Sequence, residues 1–89
     1  MSNFAIDKAL QNIKSKYKSI TVPFFFNKEK REYMCRVKIN MSDRETEPVY
    51  QIYFFDITEE NKKINEGFIF ARGFEDLRKK VYEFYNKLK

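Results

Sequence analysis

Apolar residues open the chain at helical spacing: Ile6, Leu10, Ile13 and Tyr17 follow one another at steps of four, three and four, with Ala9 beside them. Such steps line one face of an α-helix, so the segment from Asn3 to about Lys18 is predicted to be amphipathic and helical. Ser2 or Asn3 offers a side-chain oxygen to its first N–H groups. The same signature closes the chain, where Phe74, Leu77, Val81, Phe84 and Leu88 recur at three, four, three and four. Gly73 breaks the segment before this helix. Glu75 and Asp76 suit the positive end of its dipole, and Lys87 and Lys89 the negative end.

Between the helices the period falls to two. Tyr33, Cys35, Val37, Ile39 and Met41 alternate with Met34, Arg36, Lys38 and Asn40, the pattern of a strand with one buried face. Ile20 to Asn27 forms a second strand, β-branched at first and then Phe24-Phe25-Phe26, joined to the next through a hairpin loop at Asn27-Lys28-Glu29-Lys30. Past the polar loop Ser42–Glu47 and Pro48, Val49 to Thr58 forms another. After the charged stretch Glu59–Lys63, a fourth runs from about Glu66 to Arg72. Short connections favour antiparallel pairing, since a parallel crossover needs a dozen or more residues. The fold class expected is α+β, one domain over residues 1–89: an N-terminal helix, an antiparallel meander of three to four strands and a C-terminal helix.

The strand from Val49 to Thr58 departs from simple alternation. Val49, Tyr53, Phe55 and Ile57 lie on one side, and Tyr50, Ile52 and Phe54 on the other, so both faces are apolar. Three arrangements account for this. The two helices lie on opposite faces; or both lie on one face while the other pairs with a second copy or a partner protein; or that second face is an aromatic platform for stacking bases, edged by Arg36 and Lys38.

Composition supports a packed domain: ten Phe, six Tyr and eight Ile supply large buried areas to a chain of 89 residues. The chain has no histidine, which removes the commonest general base and metal ligand. One cysteine, Cys35, forms no internal disulfide and sits on the apolar side of its strand, where a small buried hydrophobe is expected. Two glycines make no phosphate-binding loop. The carboxylates Glu45, Glu47, Glu59 and Glu60 fall in loops, and no catalytic constellation, cofactor motif or metal-ligand set emerges. Nothing in Met1–Lys18 resembles a secretory signal and no apolar run is long enough to span a membrane, so the expected location is the cytoplasm. Thirteen Lys against five Arg, with abundant Asn, Ile and Phe, hint at an AT-rich genome such as that of a phage or a low-GC bacterium.

A net charge of +5 favours an acidic partner. Lys14, Lys16 and Lys18 crowd the end of the first helix; Lys28, Lys30 and Arg31 surround the hairpin; Arg72, Arg78, Lys79 and Lys80 gather at the start of the last helix. Glu29, Glu32, Glu75 and Asp76 are interspersed among them, as on ordinary soluble surfaces. Gly67-Phe68-Ile69-Phe70 resembles the aromatic strand motif of RNA recognition motif domains, but Glu66 and Ile69 stand where that motif has a basic and a small residue, and the helix it needs between its first two strands is lacking. The element order resembles that of the double-stranded RNA-binding domain, but the last helix opens with Phe74-Glu75-Asp76 where that family clusters Lys and Ala. The chain is assigned to neither.

The function expected is a small, non-enzymatic, nucleic-acid-binding accessory factor acting on RNA or DNA. Its expected contact residues are Lys14, Lys16, Lys18, Arg36, Lys38, Tyr53, Arg72, Arg78, Lys79 and Lys80. The alternative is a protein-interaction module or inhibitor, such as a phage or mobile-element counter-defence protein, that sets its apolar sheet face against an acidic protein or a second copy of itself.

Overall fold

A computed structural model of the chain describes residues 3–16, 18–41, 47–60, 62–65 and 67–88. The first helix, α1 (Phe4–Lys14), starts where the Asn3 side chain accepts a hydrogen bond from the Ile6 N–H at 3.1 Å, and buries Ile6, Leu10 and Ile13. It ends earlier than its apolar stripe suggests. The Ser15 N–H is shared between the Gln11 and Asn12 carbonyls at 3.3 Å each, and the Ser15 hydroxyl donates to the Asn12 carbonyl at 2.7 Å. A hydroxyl that competes for these carbonyls tightens the last turn and closes the helix. Ser2 and Tyr17 lie outside the described residues.

Two strands follow as a hairpin, β1 (Ile20–Lys28) and β2 (Arg31–Asn40), in register from Ile20 opposite Ile39 to Lys28 opposite Arg31. The connection is shorter than the four-residue loop expected. Asn27 and Lys28 belong to β1, and only Glu29 and Lys30 turn, both with positive φ (53° and 66°). That is the conformation of a type I′ turn, whose twist matches that of the strands it joins. The third strand, β3 (Val49–Asp56), pairs with β2 from Asn40 opposite Val49 to Tyr33 opposite Asp56.

The far edge of β3 carries two short strands instead of one. Lys62 and Lys63, expected in a charged loop, form β4 (Lys62–Lys63) opposite Asp56 and Phe55. The last strand, β5 (Ile69–Arg72), begins later than about Glu66 and pairs with Ile52 to Val49; Glu66 itself lies outside the described residues. The Asn65 side chain explains the interruption. Its Oδ1 accepts from the Phe54 N–H at 2.8 Å and its Nδ2 donates to the Ile52 carbonyl at 3.5 Å, so an amide side chain serves backbone groups that a continuous strand would have paired. Among the described residues the sheet therefore has five antiparallel strands in meander order.

The second helix, α2 (Phe74–Lys87), buries Leu77, Val81 and Tyr85, with Phe74, Phe84 and Leu88 packed at the margin of the core. Tyr85, four residues after Val81, takes a central place in the stripe. Gly73 precedes the helix with φ 80° and ψ 162°, a region that side chains avoid, and its N–H donates to the Pro48 carbonyl at 2.9 Å.

Both helices lie on the same face of the sheet, which excludes the first of the three arrangements that β3 leaves open, helices on opposite faces. One continuous core joins Ile6, Leu10 and Ile13 of α1 and Leu77, Val81 and Tyr85 of α2 to Phe24, Phe26, Cys35, Val37, Ile39, Tyr50, Ile52 and Phe54 of the sheet. The Phe54 and Phe84 rings stack with centroids 4.0 Å apart. The helices run antiparallel to each other. At one end the Asn3 N–H donates to the Tyr82 hydroxyl at 3.0 Å, and that hydroxyl donates to the Asp7 carboxylate. At the other end the Lys14 ammonium lies 4.9 Å from the centre of the Phe74 ring. The opposite face of the sheet carries no described element.

Candidate nucleic-acid interface

Strand register fixes what this uncovered face displays, because alternate residues point to it. Along one line across the sheet stand Phe25, Met34, Phe55 and Lys63; along the next, Pro23, Arg36 and Tyr53; along the third, Thr21, Lys38, Gln51 and Phe70. Phe68, just before β5, brings its ring within 6.2 Å of Tyr53. Met34 is nearly inaccessible despite facing outwards, since it sits between Phe25 and Phe55. Three rings of the face are open: Phe25 is 58% exposed, and Phe68 and Phe70 are each 46% exposed. Exposed aromatic side chains of this size make the face a candidate for contact with something else.

The cations on this face are placed against the rings. The Arg36 guanidinium lies 5.0 Å from the Phe55 centroid, and the Lys63 ammonium 4.9 Å from that of Tyr53. Lys38 and Arg72 occupy the neighbouring lines. Glu32 is the one carboxylate among the strand residues of this face. The face is thus apolar and basic at once.

Each edge of the sheet carries groups that work against a further strand. The Glu32 N–H donates to the Thr58 hydroxyl, and its carbonyl accepts from the Ile57 N–H, so its backbone points away from β1. By the alternation of an antiparallel ladder, Arg36 also points away from β1, and the backbone of its partner Pro23 faces the free edge. Proline has no N–H to offer there. On the other side, the Lys80 ammonium donates to the Phe70 carbonyl at 3.3 Å and the Arg72 N–H donates to the Asp76 carboxylate at 3.1 Å. That bond is the main reason the Asp76 carboxyl titrates below its ordinary range. These features disfavour a further strand at Pro23 on one edge and at Phe70 and Arg72 on the other.

Of the residues singled out in the sequence, Arg36, Lys38, Tyr53 and Arg72 come together here. Lys14 and Arg78 lie on the helical side, in a cleft of about 340 Å³ between the helices that also includes Asp7 and Glu75. Lys79 is exposed on α2, and Lys80 is held by Phe70 and Asp76. Lys16 and Lys18 fall in the connection from α1 to β1. At the hairpin, Lys28 donates to the Tyr85 carbonyl at 2.5 Å and Arg31 pairs with Asp56 at 2.8 Å, so both are engaged within the fold. Sequence reasoning missed Phe25, Phe68, Phe70 and Lys63 as members of the face. The Val49–Thr58 strand, apolar on both sides, was the signal that such a face exists.

Other chemistry is quiet. Burial pushes the Cys35 thiol well above its ordinary pKa, which keeps it protonated in the core. The hydrogen bond from Arg31, aided by the Thr58 N–H, holds the Asp56 carboxyl down at about 2. Among the described residues, no group of three acidic or thiol side chains is placed to hold a metal ion, and no helix is long and apolar enough to cross a membrane. Comparison of the chain with known protein families, characterised proteins and solved structures gave no match.

Proposed function

We propose that this chain is a non-enzymatic nucleic-acid-binding protein that holds a single strand across the uncovered face of its sheet. The observation that carries the reading is the joint placement of Phe25, Tyr53, Phe55, Phe68 and Phe70 with Arg36, Lys38 and Lys63, opposed among the described strand residues of the face by Glu32 alone. Rings offer stacking surfaces to unpaired bases, a contact worth about 1–3 kcal/mol per base, and cations between them meet the phosphates. A duplex hides its base faces, so a ring platform favours single strands. Charge also argues against the same face meeting a second copy, because Arg36, Lys38 and Lys63 of both molecules would then be buried against one another.

The test is binding of single- and double-stranded RNA and DNA, measured by fluorescence anisotropy from about 50 to about 300 mM salt. Single strands are expected to bind more tightly than duplexes. If Arg36, Lys38 and Lys63 each neutralise one phosphate, the logarithmic salt slope is roughly −2. Tyr53→Ala should weaken single-strand binding by about 1–3 kcal/mol, and Lys79→Ala, on α2, should change it little. Absence of binding to all four at the lowest salt overturns the reading and leaves a protein partner for the apolar face.

A further inference from the structure

Gln51 stands in the middle of the uncovered face. Its register partners are Lys38 on one side and Phe70 on the other, and Tyr53 follows two residues along the same strand. Half-buried among these neighbours, its side-chain amide makes no hydrogen bond to any described residue. The contrast with Asn65 is instructive, since the amide of Asn65 is engaged by the backbone at Phe54 and Ile52. An amide carries one acceptor oxygen and two N–H donors side by side. On a platform of rings and cations, Gln51 is the side chain able to donate and accept at once next to Phe70 and Tyr53.

We propose, resting on the nucleic-acid reading above, that Gln51 reads the edge of a base stacked on the neighbouring ring of Phe70 or Tyr53. Side chains of a strand stand roughly perpendicular to the sheet, so a long one rises to the level of a base lying on the ring beside it. The edge of adenine that carries its N6 amino group next to the bare N7 matches the amide; pairing of Gln with adenine follows from this geometry. On the same edge uracil has one carbonyl beside a C–H, cytosine one amino group beside a C–H and guanine two acceptors, so none of them offers that pair. The protein therefore selects adenine at this position, while Phe70, Tyr53 and the cations grip any base and any phosphate.

Two labelled RNA strands of about twelve nucleotides provide the test, one of uracil alone and one with adenine at alternate positions. The wild-type protein should bind the adenine-containing strand at least about fivefold more tightly. Gln51→Ala should bring that ratio to near one without changing the affinity for the uracil strand or the salt slope. Gln51→Leu, which keeps the side-chain volume, should behave in the same way, and thermal unfolding of both variants checks that the sheet is intact. A wild-type ratio near one, or a preference that survives in both variants, overturns the role of Gln51 and leaves the nucleic-acid reading standing. Failure to bind either strand, made as RNA or as DNA, overturns both.

Discussion

Arg36 and Phe55 face each other diagonally across β2 and β3, with the guanidinium 5.0 Å from the ring centre, although the register partner of Arg36 is Tyr53. Lys63 makes the opposite diagonal: its register partner is Phe55, and its ammonium lies over Tyr53. Two cations thus cross over two rings of this face. A double-mutant cycle on Arg36→Ala and Phe55→Ala, followed by urea unfolding, should show a coupling of about 0.5–1 kcal/mol. A coupling indistinguishable from zero would mean that the guanidinium contributes charge to the face without organising it.

The Glu29-Lys30 turn places two side-chain-bearing residues in the left-handed region, where glycine and asparagine are at ease. Lys30→Gly should therefore stabilise the domain by up to about 1 kcal/mol through relief of that strain, less the extra entropy glycine gains on unfolding. Raised urea midpoints at an unchanged slope are the expected result. A lowered midpoint would place the turn in a different conformation.

Asn65→Ala removes the acceptor of the Phe54 N–H while the strand around it stays half-buried. An unpaired donor there costs about 1–3 kcal/mol, visible as a lower unfolding midpoint and as faster amide exchange at Phe54. Asn65→Asp retains the acceptor and should keep the Phe54 amide protected. Equal behaviour of the two variants would show that the interruption of the edge does not depend on this side chain.

Asp56 sets the acid limit of the hairpin. Its folded-state pKa of about 2 lies below the ordinary 3.8, so the Arg31–Asp56 pair stabilises the fold above about pH 4. That contribution is lost as the pH falls from about 4 towards 2, because protonation is harder in the folded state than in the unfolded one. Asp56→Asn should remove the corresponding part of the acid dependence and leave stability flatter across this window. Thermal unfolding at a series of pH values decides it.

The helices were legible because the stripes Ile6-Leu10-Ile13 and Leu77-Val81 recur at helical spacing, and β2 was legible because Tyr33, Cys35, Val37 and Ile39 alternate with polar residues. The face was only half legible. Three consecutive rings at Phe24-Phe25-Phe26 do not say which one points outwards, and two apolar sides on β3 do not say which side the helices cover. Lys63 was hidden for a different reason: it sits in a run of charges that reads as a loop, and only the interruption at Asn65 brings it opposite Phe55. Lys14 and Arg78 looked equal to Arg36 in sequence, and helix packing alone separates them.

The hydrogen bond from Asn3 to Tyr82 spans 79 positions of the sequence, and the docking of α1 against α2 depends on that closure. A ribosome makes the apolar stripe of α1 well before the residues of α2 that help cover it. Until Leu77, Val81 and Tyr85 have emerged, Ile6, Leu10 and Ile13 lack part of their cover, and the β1–β2–β3 meander is what pairing of consecutive strands can complete. Folding is consequently tied to the emergence of α2, with the slow timescale that distant pairings impose. A nascent chain halted before α2 would present an open greasy underside to chaperones.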